Sequence, residues 1–314
     1  MARCIEPDPP MVRRLLRPLS RRVRNQIVHV IRPSKDFGVD YDQPQGDPGL
    51  FGPHSATWKF HADFPGMMSG GLCALMLQTL HPRALAGVWD HSAFREESLE
   101  RLRRTTLFVG ATSFAPRGDA ERLIDQINRI HAHVHGHTAD GQPYSALDPD
   151  LLTWVHCTQV YGFLQGYLTY RKADVPGSEQ DRYLDEYRRV AEMLGARDVP
   201  ASRAQLQDYF DSVRPELRYD ERTRETLAVL ESMPLPVMAA GLSRRVFLGA
   251  GAVLLPRWGR QLLGRGRRQQ MLDRAAAGSL KAAAPMIRAS MSEGVARRSA
   301  RRVHAPPECL AFAD

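Results

Sequence analysis

The sequence predicts an all-α fold, and three observations support this class. Most segments after residue 50 place apolar residues three and four positions apart, the period of amphipathic helices. Residue types that begin helices stand at the start of several of these segments. No alternating run of β-branched residues is bounded by a hairpin turn. Since 43% of the 314 residues are hydrophobic, we predict a helical bundle in a single large domain with a basic helical C-terminal extension.

The predicted organisation has three parts. Residues 1–46 form a basic segment that ends in a loop rich in glycine, proline and aspartate. Within it we expect residues 1–16 to be unstructured and a short amphipathic helix at 18–32. Residues 47–235 form the main helical domain. Residues 236–314 form a basic, partly helical extension.

Individual helices of the main domain have recognisable starts. The apolar stretch 70–80 predicts a buried helix. Asp148 as N-cap and Pro149 in the first turn predict the start of a long central helix. Ser202 and Gln205 have the spacing of a capping box. These signals place helix starts independently of hydrophobic periodicity.

Positive charge is concentrated near both ends of the chain. Residues 11–35 carry eight Arg or Lys and no acid, and residues 243–303 carry fourteen Arg or Lys against two acids. Such ends suit an anionic membrane surface, although solubilising tails have the same composition. Nucleic acid is an unlikely partner by this pattern, because neither end interleaves aromatic residues or shows a recognition motif.

The expected location is cytoplasmic, with at most a peripheral association with a membrane. The most apolar stretch, residues 233–256, is interrupted by Arg244 and Arg245, so no continuous run approaches the roughly 20 apolar residues that span a bilayer. Its "SRRVFLGAG" resembles a twin-arginine export signal, but it lies far from the N-terminus, so we interpret it as a coincidence. The four cysteines form no C-x-x-C pair, which favours a reducing compartment.

Alternate histidines in "INRIHAHVHGH" resemble a metal site. The apolar period of the preceding residues predicts a helix that continues through Val134 and ends near Gly136. On that helix only His131 and His135 would share a side, and position 132 is Ala, so the pattern of a zinc-protease helix is absent. The remaining candidate is His131, on the predicted core-facing stripe.

A second polar group is the reason to consider a role for His131 beyond that of a core histidine. In "RLRRT", Arg101, Arg104 and Thr105 share one side of the preceding helix. A buried cationic face needs an anionic or polar partner, and haem would supply both iron for an imidazole and propionates for guanidinium groups. The competing interpretation is an ordinary solvated helix surface.

Several motifs in fixed order resemble one known family. They are "DPGLFGPHSATWKFHAD", "GGLCALMLQTLHPRALAGVWDHSAF", "RLRRT", "RIHAHVHG" and "YSALDPDLLTWVH", all within about residues 47–235. This segment resembles the catalytic domain of the rubber oxygenase (latex clearing protein) family, which includes fungal membrane-bound oxygenases that cleave a prenyl side chain.

The resemblance implies a globin-like helical core that holds haem b. Dioxygen would add across a carbon–carbon double bond of an isoprenoid and give carbonyl products. By the same resemblance, His131 is the proximal iron ligand and Arg101 and Thr105 flank the distal side. A lysine that closes the sixth iron position in the rubber oxygenase is replaced here by Arg104, whose guanidinium stays protonated and cannot ligate iron. The family's glutamate base matches no position of this chain clearly.

Two further histidines have open roles. His81, before Pro82, either borders the haem pocket or caps the end of an apolar helix. His156 is either a packed core residue or a partner or alternative ligand of the cofactor.

The leading hypothesis is a haem-dependent oxygenase acting on an apolar, isoprenoid or lipid substrate. In it Arg104 pairs with a propionate or a distal acid, and the basic ends hold the protein at an anionic membrane. The alternative is a haem-binding or lipid-binding helical protein without turnover.

Overall fold

The computed structural model describes residues 22–35, 37–91, 94–233 and 240–313, and these are predominantly helical. The predicted all-α class is confirmed, whereas the globin-like arrangement stays an expectation from the resemblance. The helices are α1 (residues 22–31), α2 (Ala56–His61), α3 (Phe64–Gln78), α4 (Pro82–His91), α5 (Ser98–Phe114), α6 (Arg117–His131), α7 (Pro149–Tyr170), α8 (Gly177–Met193), α9 (Arg203–Val213), α10 (Glu221–Ser232), α11 (Ala240–Leu254), α12 (Arg257–Leu262), α13 (Arg267–Ser290) and α14 (Val295–Arg302).

Short polar side chains start several of these helices. The predicted caps are confirmed: Asp148 accepts from the amide of Asp150 at 3.0 Å, and Ser202 accepts from the amide of Gln205 at 3.3 Å. The Gln205 side chain reaches back to the amide of Ala201 at 2.8 Å. Each cap satisfies amides that the first helical turn leaves without a partner.

Helices α3 and α7 cross at the centre of the molecule with their backbones in contact. Glycines make this possible, since a Cβ added at Gly70 would overlap the carbonyl of Gly162, and one at Gly166 would overlap the carbonyl of Gly66. With only hydrogen on Cα at these positions, no side chain separates the two helices. The α3–α7 pair is the frame on which the other helices pack.

The C-terminal helices share this core. Helix α11 packs on α3 and on α13. Ala250 and Leu255 of this region and Leu280 of α13 are buried in the same apolar cluster as the residues of α7. The predicted division of the chain at residue 235 stays a prediction.

The histidine run is not helical beyond His131, so the predicted continuation through Val134 was wrong. After α6 the chain turns and forms strand β1 (His135–His137), which pairs antiparallel with β2 (Pro143–Ser145). Gly136 lies against the Tyr144 ring. A Cβ added at Gly136 would lie 2.7 Å from the Tyr144 hydroxyl oxygen. The Tyr144 hydroxyl in turn donates to Asp90 at 2.7 Å, which ties the hairpin to α4.

Two predictions for the N-terminal segment fall partly or wholly outside the described residues. The amphipathic helix expected at 18–32 is helical over residues 22–31, and its first residues lie outside the described part, as does the segment 1–16 expected to be unstructured. Across the described ranges, no helix has both the length and the apolar character that crossing a bilayer requires.

Candidate functional site

Helices α5 and α6 form a hairpin with a two-residue connection, and this hairpin carries the main candidate site. A short connection makes neighbouring helices antiparallel, so the start of α5 lies beside the end of α6. Arg101 is in the first turn of α5 and His131 is the last residue of α6. Burial lowers the pKa of His131, and the positive charge of Arg101 lowers it further, so the two side chains are near enough for their charges to interact.

His131 is half-buried, with one nitrogen left unsatisfied. Its Nδ1 is buried and has no hydrogen-bond partner among the described residues. Burial and the charge of Arg101 lower the pKa of His131. Both effects disfavour the imidazolium, so the ring is neutral at pH 7 and keeps a nitrogen lone pair available.

Arg101 is also half-buried, and no acid offsets its charge in the described part of the chain. Burial, and then the neighbouring charge of Arg104, lower the pKa of its guanidinium. An arginine stays protonated in spite of such a shift. A partly desolvated cation therefore lies beside a neutral imidazole, and this pair attracts an anionic group.

The other two candidate residues of the "RLRRT" segment, Arg104 and Thr105, lie at the surface. Arg104 is exposed, and its guanidinium is 3.9 Å from the Glu97 carboxylate, which is exposed as well. The Thr105 hydroxyl is exposed and donates to the carbonyl of Arg101 at 3.0 Å. The structure thus brings Arg101 and His131 together and places Arg104 and Thr105 at the edge of the pair. The roles assigned to these residues stay predictions.

His81 is buried at the start of α4 in a different environment. Its Nε2 is 3.5 Å from the Glu216 carboxylate, its ring packs on Trp154, and its Nδ1 has no partner among the described residues. Burial, reinforced by Arg83, lowers the pKa of His81 to about 4. His81 lines a surface cavity of about 410 Å³ that neither Arg101 nor His131 lines.

His156 lies inside the core on α7. Its ring stacks on Tyr187 at 5.7 Å between centroids, and burial lowers its pKa to about 3. Its Nε2 has no hydrogen-bond partner among the described residues. In the described structure no hydrogen bond, ion pair or ring contact joins His156 or His81 to the Arg101–His131 pair.

Sequence reasoning gave no role to His61, the histidine with the most complete set of partners. Its Nδ1 is 2.7 Å from Ser113 Oγ and its Nε2 is 2.8 Å from the Tyr183 hydroxyl. Ser113 donates its own hydrogen to the carbonyl of Val109 at 2.6 Å, so it accepts from Nδ1–H, and Tyr183 donates to Nε2. Burial lowers the pKa of His61 to about 3. One available signal was that "WKFHAD" places His61 on a short helix of bulky apolar residues.

The remaining histidines of the run face solvent. His133, His135 and His137 are exposed, and His131 and His135 do not share a helix, because α6 ends at His131. Within the described ranges no three His, Cys, Asp or Glu side chains are grouped to hold a metal ion.

The described chain is all-α and places an imidazole with an unsatisfied nitrogen near a partly buried arginine. Residues 58–289 match the family model described as "ER-bound oxygenase mpaB/B'/Rubber oxygenase, catalytic domain". This match covers most of the chain, which therefore belongs to that oxygenase family. No curated protein and no solved structure matches the chain.

Proposed function

We propose that this member of the oxygenase family depends on haem b, with His131 as the iron ligand and an apolar isoprenoid or lipid as the substrate. Dioxygen is the second substrate. The observation that carries the proposal is the Arg101–His131 pair on the α5–α6 hairpin, which combines an available imidazole with a cation that lacks an acid.

The state of His131 supports its assignment as the ligand. A metal-bound imidazole must offer an unprotonated nitrogen, and burial together with Arg101 lowers the pKa of His131. A buried ring nitrogen without a partner costs free energy, which a bond at this ring would offset. The ring's half-buried position at the end of a helix also leaves one side free of core packing.

Arg101 would hold the carboxylate groups of the cofactor. A propionate is the anion that the half-buried guanidinium lacks, and an arginine–carboxylate pair is charge-assisted and often bidentate. Arg104 is available beside it, because its pairing with Glu97 is long and exposed and so contributes little. When bound, haem would supply the iron centre for the reaction of dioxygen with a carbon–carbon double bond.

The surroundings of the pair favour an apolar substrate. Ile130, next to His131, is 50% exposed although it is a large aliphatic residue. Leu147, which follows strand β2, is 43% exposed. Exposed aliphatic side chains near a half-buried polar pair are the surface that a hydrocarbon chain would cover.

An absorption spectrum tests the cofactor assignment. We expect protein purified from cells supplied with iron and haem precursors to show a Soret band that shifts on reduction with dithionite. His131→Ala should lose the band or change its position, because the axial ligand is removed. His133→Ala is the matched control, since it removes an exposed histidine two positions away and should leave the spectrum unchanged.

Each outcome decides between hypotheses. A wild-type protein without a Soret band overturns the haem proposal, and equal spectra for the two variants overturn the ligand assignment. If haem is bound but oxygen consumption stays flat with isoprenoids, lipids and reductant, the protein is a carrier or sensor and the proposed turnover is wrong.

A further inference from the structure

A cationic cavity lies at the corner where α12 ends and α13 begins, far along the chain from the Arg101–His131 pair. It has a volume of about 260 Å³ and is lined by Arg257, Arg260, Gln261, Arg265 and Gln270. Pockets for whole small molecules are usually about 300–1,000 Å³, so this one suits a ligand the size of a lipid headgroup. Every lining residue carries side-chain N–H donors.

The cavity has more positive than negative charge. Arg265 forms a bidentate ion pair with the buried Asp273, with Nε 2.9 Å from Oδ2 and a terminal nitrogen 2.7 Å from Oδ1. Arg260 donates to backbone carbonyls, the nearest being that of Leu255 at 2.7 Å. Arg257 is exposed, and the described residues offer it no carboxylate. Three guanidinium groups against one carboxylate leave an uncompensated charge that an anion would neutralise.

The surface next to the cavity is basic and apolar at once. Arg267 and Arg268 begin α13 and are exposed, with no ion pair among the described residues. One turn further, Met271 is 67% exposed and Leu272 is 57% exposed. Asp273, already paired with Arg265, is the sole acid in the α13 sequence.

Neither of the two longer undescribed segments has a net negative charge. Residues 234–239 contain no charged side chain, and residues 1–21 carry five arginines against two acids. The described part of the chain thus leaves the cavity with a net positive charge that an external anion would neutralise.

We propose that the α12–α13 corner docks on an anionic phospholipid bilayer, with a headgroup phosphate in the cavity and Met271 and Leu272 in the interfacial layer. Cations beside exposed aliphatic side chains are the composition of interfacial membrane-binding helices. A free phosphate would leave the aliphatic side chains in water. A nucleic acid would gain nothing from Met271 and Leu272, which offer no aromatic face for stacking. This proposal is independent of haem binding.

Sedimentation with vesicles tests the charge requirement. The full chain should bind phosphatidylcholine vesicles that contain phosphatidylglycerol and should not bind phosphatidylcholine alone. Each arginine at an anionic surface contributes about 1 kcal/mol, so Arg257→Gln with Arg268→Gln should weaken binding about thirtyfold. The control is Arg129→Gln with Arg197→Gln, which removes two exposed, unpaired arginines of the described surface outside this corner and should leave binding unchanged.

A second pair of variants tests the apolar contribution. Met271→Ser with Leu272→Ser should weaken binding about tenfold or more, because two side chains lose their burial in the interface. Leu242→Ser changes an aliphatic residue of α11 that is 66% exposed, as exposed as Met271, and should have no effect. All these side chains are exposed, so circular dichroism should show unchanged folding.

Three results would overturn the proposal. One is equal loss of vesicle binding in the control and corner variants. Another is protection of the wild type from thermal unfolding by inorganic phosphate with no binding to anionic vesicles. The third is tighter binding to duplex nucleic acid than to vesicles, with the same dependence on Arg257 and Arg268.

Discussion

His61 and His131 differ in their burial and in the hydrogen-bond partners of their rings. His61 has a partner at each ring nitrogen, Ser113 on α5 and Tyr183 on α8, and is shielded from water. His131 is half-buried, has no partner at Nδ1 among the described residues, and lies beside a cation. A buried polar network stabilises a fold when all its members are satisfied. The unsatisfied imidazole stabilises the fold little, and for that reason we propose a functional role for His131 and a structural one for His61.

The largest expected difference between the two histidines is in stability. His61→Ala should lower the free energy of unfolding by about 3–5 kcal/mol, because it creates a cavity and leaves Tyr183 and Ser113 without their partner. His131→Ala in the haem-free protein should change it by less than about 1 kcal/mol. Urea denaturation followed by circular dichroism measures both. Equal losses would show that His131 is a core residue like His61.

Acid should destabilise the fold through its buried histidines. Burial lowers the pKa of His61 and His156 to about 3, below the ordinary value of 6.5. Below pH 6.5 these histidines bind protons in the unfolded chain but stay neutral in the folded chain. The stability that is present above pH 6.5 is therefore lost as the pH falls towards 3. Each such histidine contributes about 1.4 kcal/mol per pH unit.

Urea midpoints across this pH range measure that slope. Because His81 also has a lowered pKa, the wild-type slope is the sum over several histidines. His156→Phe should reduce it by the share of one histidine, whereas His133→Ala, which removes an exposed ring, should not. An unchanged slope in His156→Phe would mean that His156 is protonated in the folded state.

Removing one hydrogen bond of the His61 network should have a smaller effect. Tyr183→Phe keeps the ring but leaves His61 Nε2 buried without a donor, at a cost of about 1–3 kcal/mol. Thermal unfolding by calorimetry gives the difference. Tyr219→Phe, at a ring 43% exposed, serves as the control and should stay within about 0.5 kcal/mol. A Tyr183→Phe protein as stable as this control would argue against the network.

The smallest effect should come from His156. Its Nε2 makes no hydrogen bond in the described structure, and its ring stacks on Tyr187. Phenylalanine keeps a ring of similar size and removes the unsatisfied nitrogen, so His156→Phe should stay within about 1 kcal/mol of the wild type at pH 7. A loss of several kcal/mol would reveal a partner for His156 outside the described residues.

The sequence was informative where local chemistry decides the structure. Asp148 and Ser202 cap the helices that they were predicted to cap, because capping depends on residues within one turn. The end of α6 was misplaced because Val134 continues the helical period, while the hairpin that replaces the helix is held by Tyr144 and Asp90. A three-residue strand has too few positions for alternation to be recognised.

Candidate residues were predictable in part for the same reason. Arg101 and His131 lie on consecutive helices, so their proximity follows from a short connection. His61 meets Ser113 and Tyr183, which lie 52 and 122 positions away, and no local pattern encodes such contacts. The two unsatisfied nitrogens of His131 and His156 also became visible only when their surroundings were known.

The glycine contacts between α3 and α7 determine which parts of the molecule can move relative to one another. The two backbones are in contact at Gly66–Gly166 and Gly70–Gly162. No side chain there can change rotamer to make room, and neither helix can shift along the other without a clash with a backbone carbonyl. Relative motion is therefore easier for elements that pack through side chains, such as α6 and the β1–β2 hairpin, than for the central α3–α7 crossing.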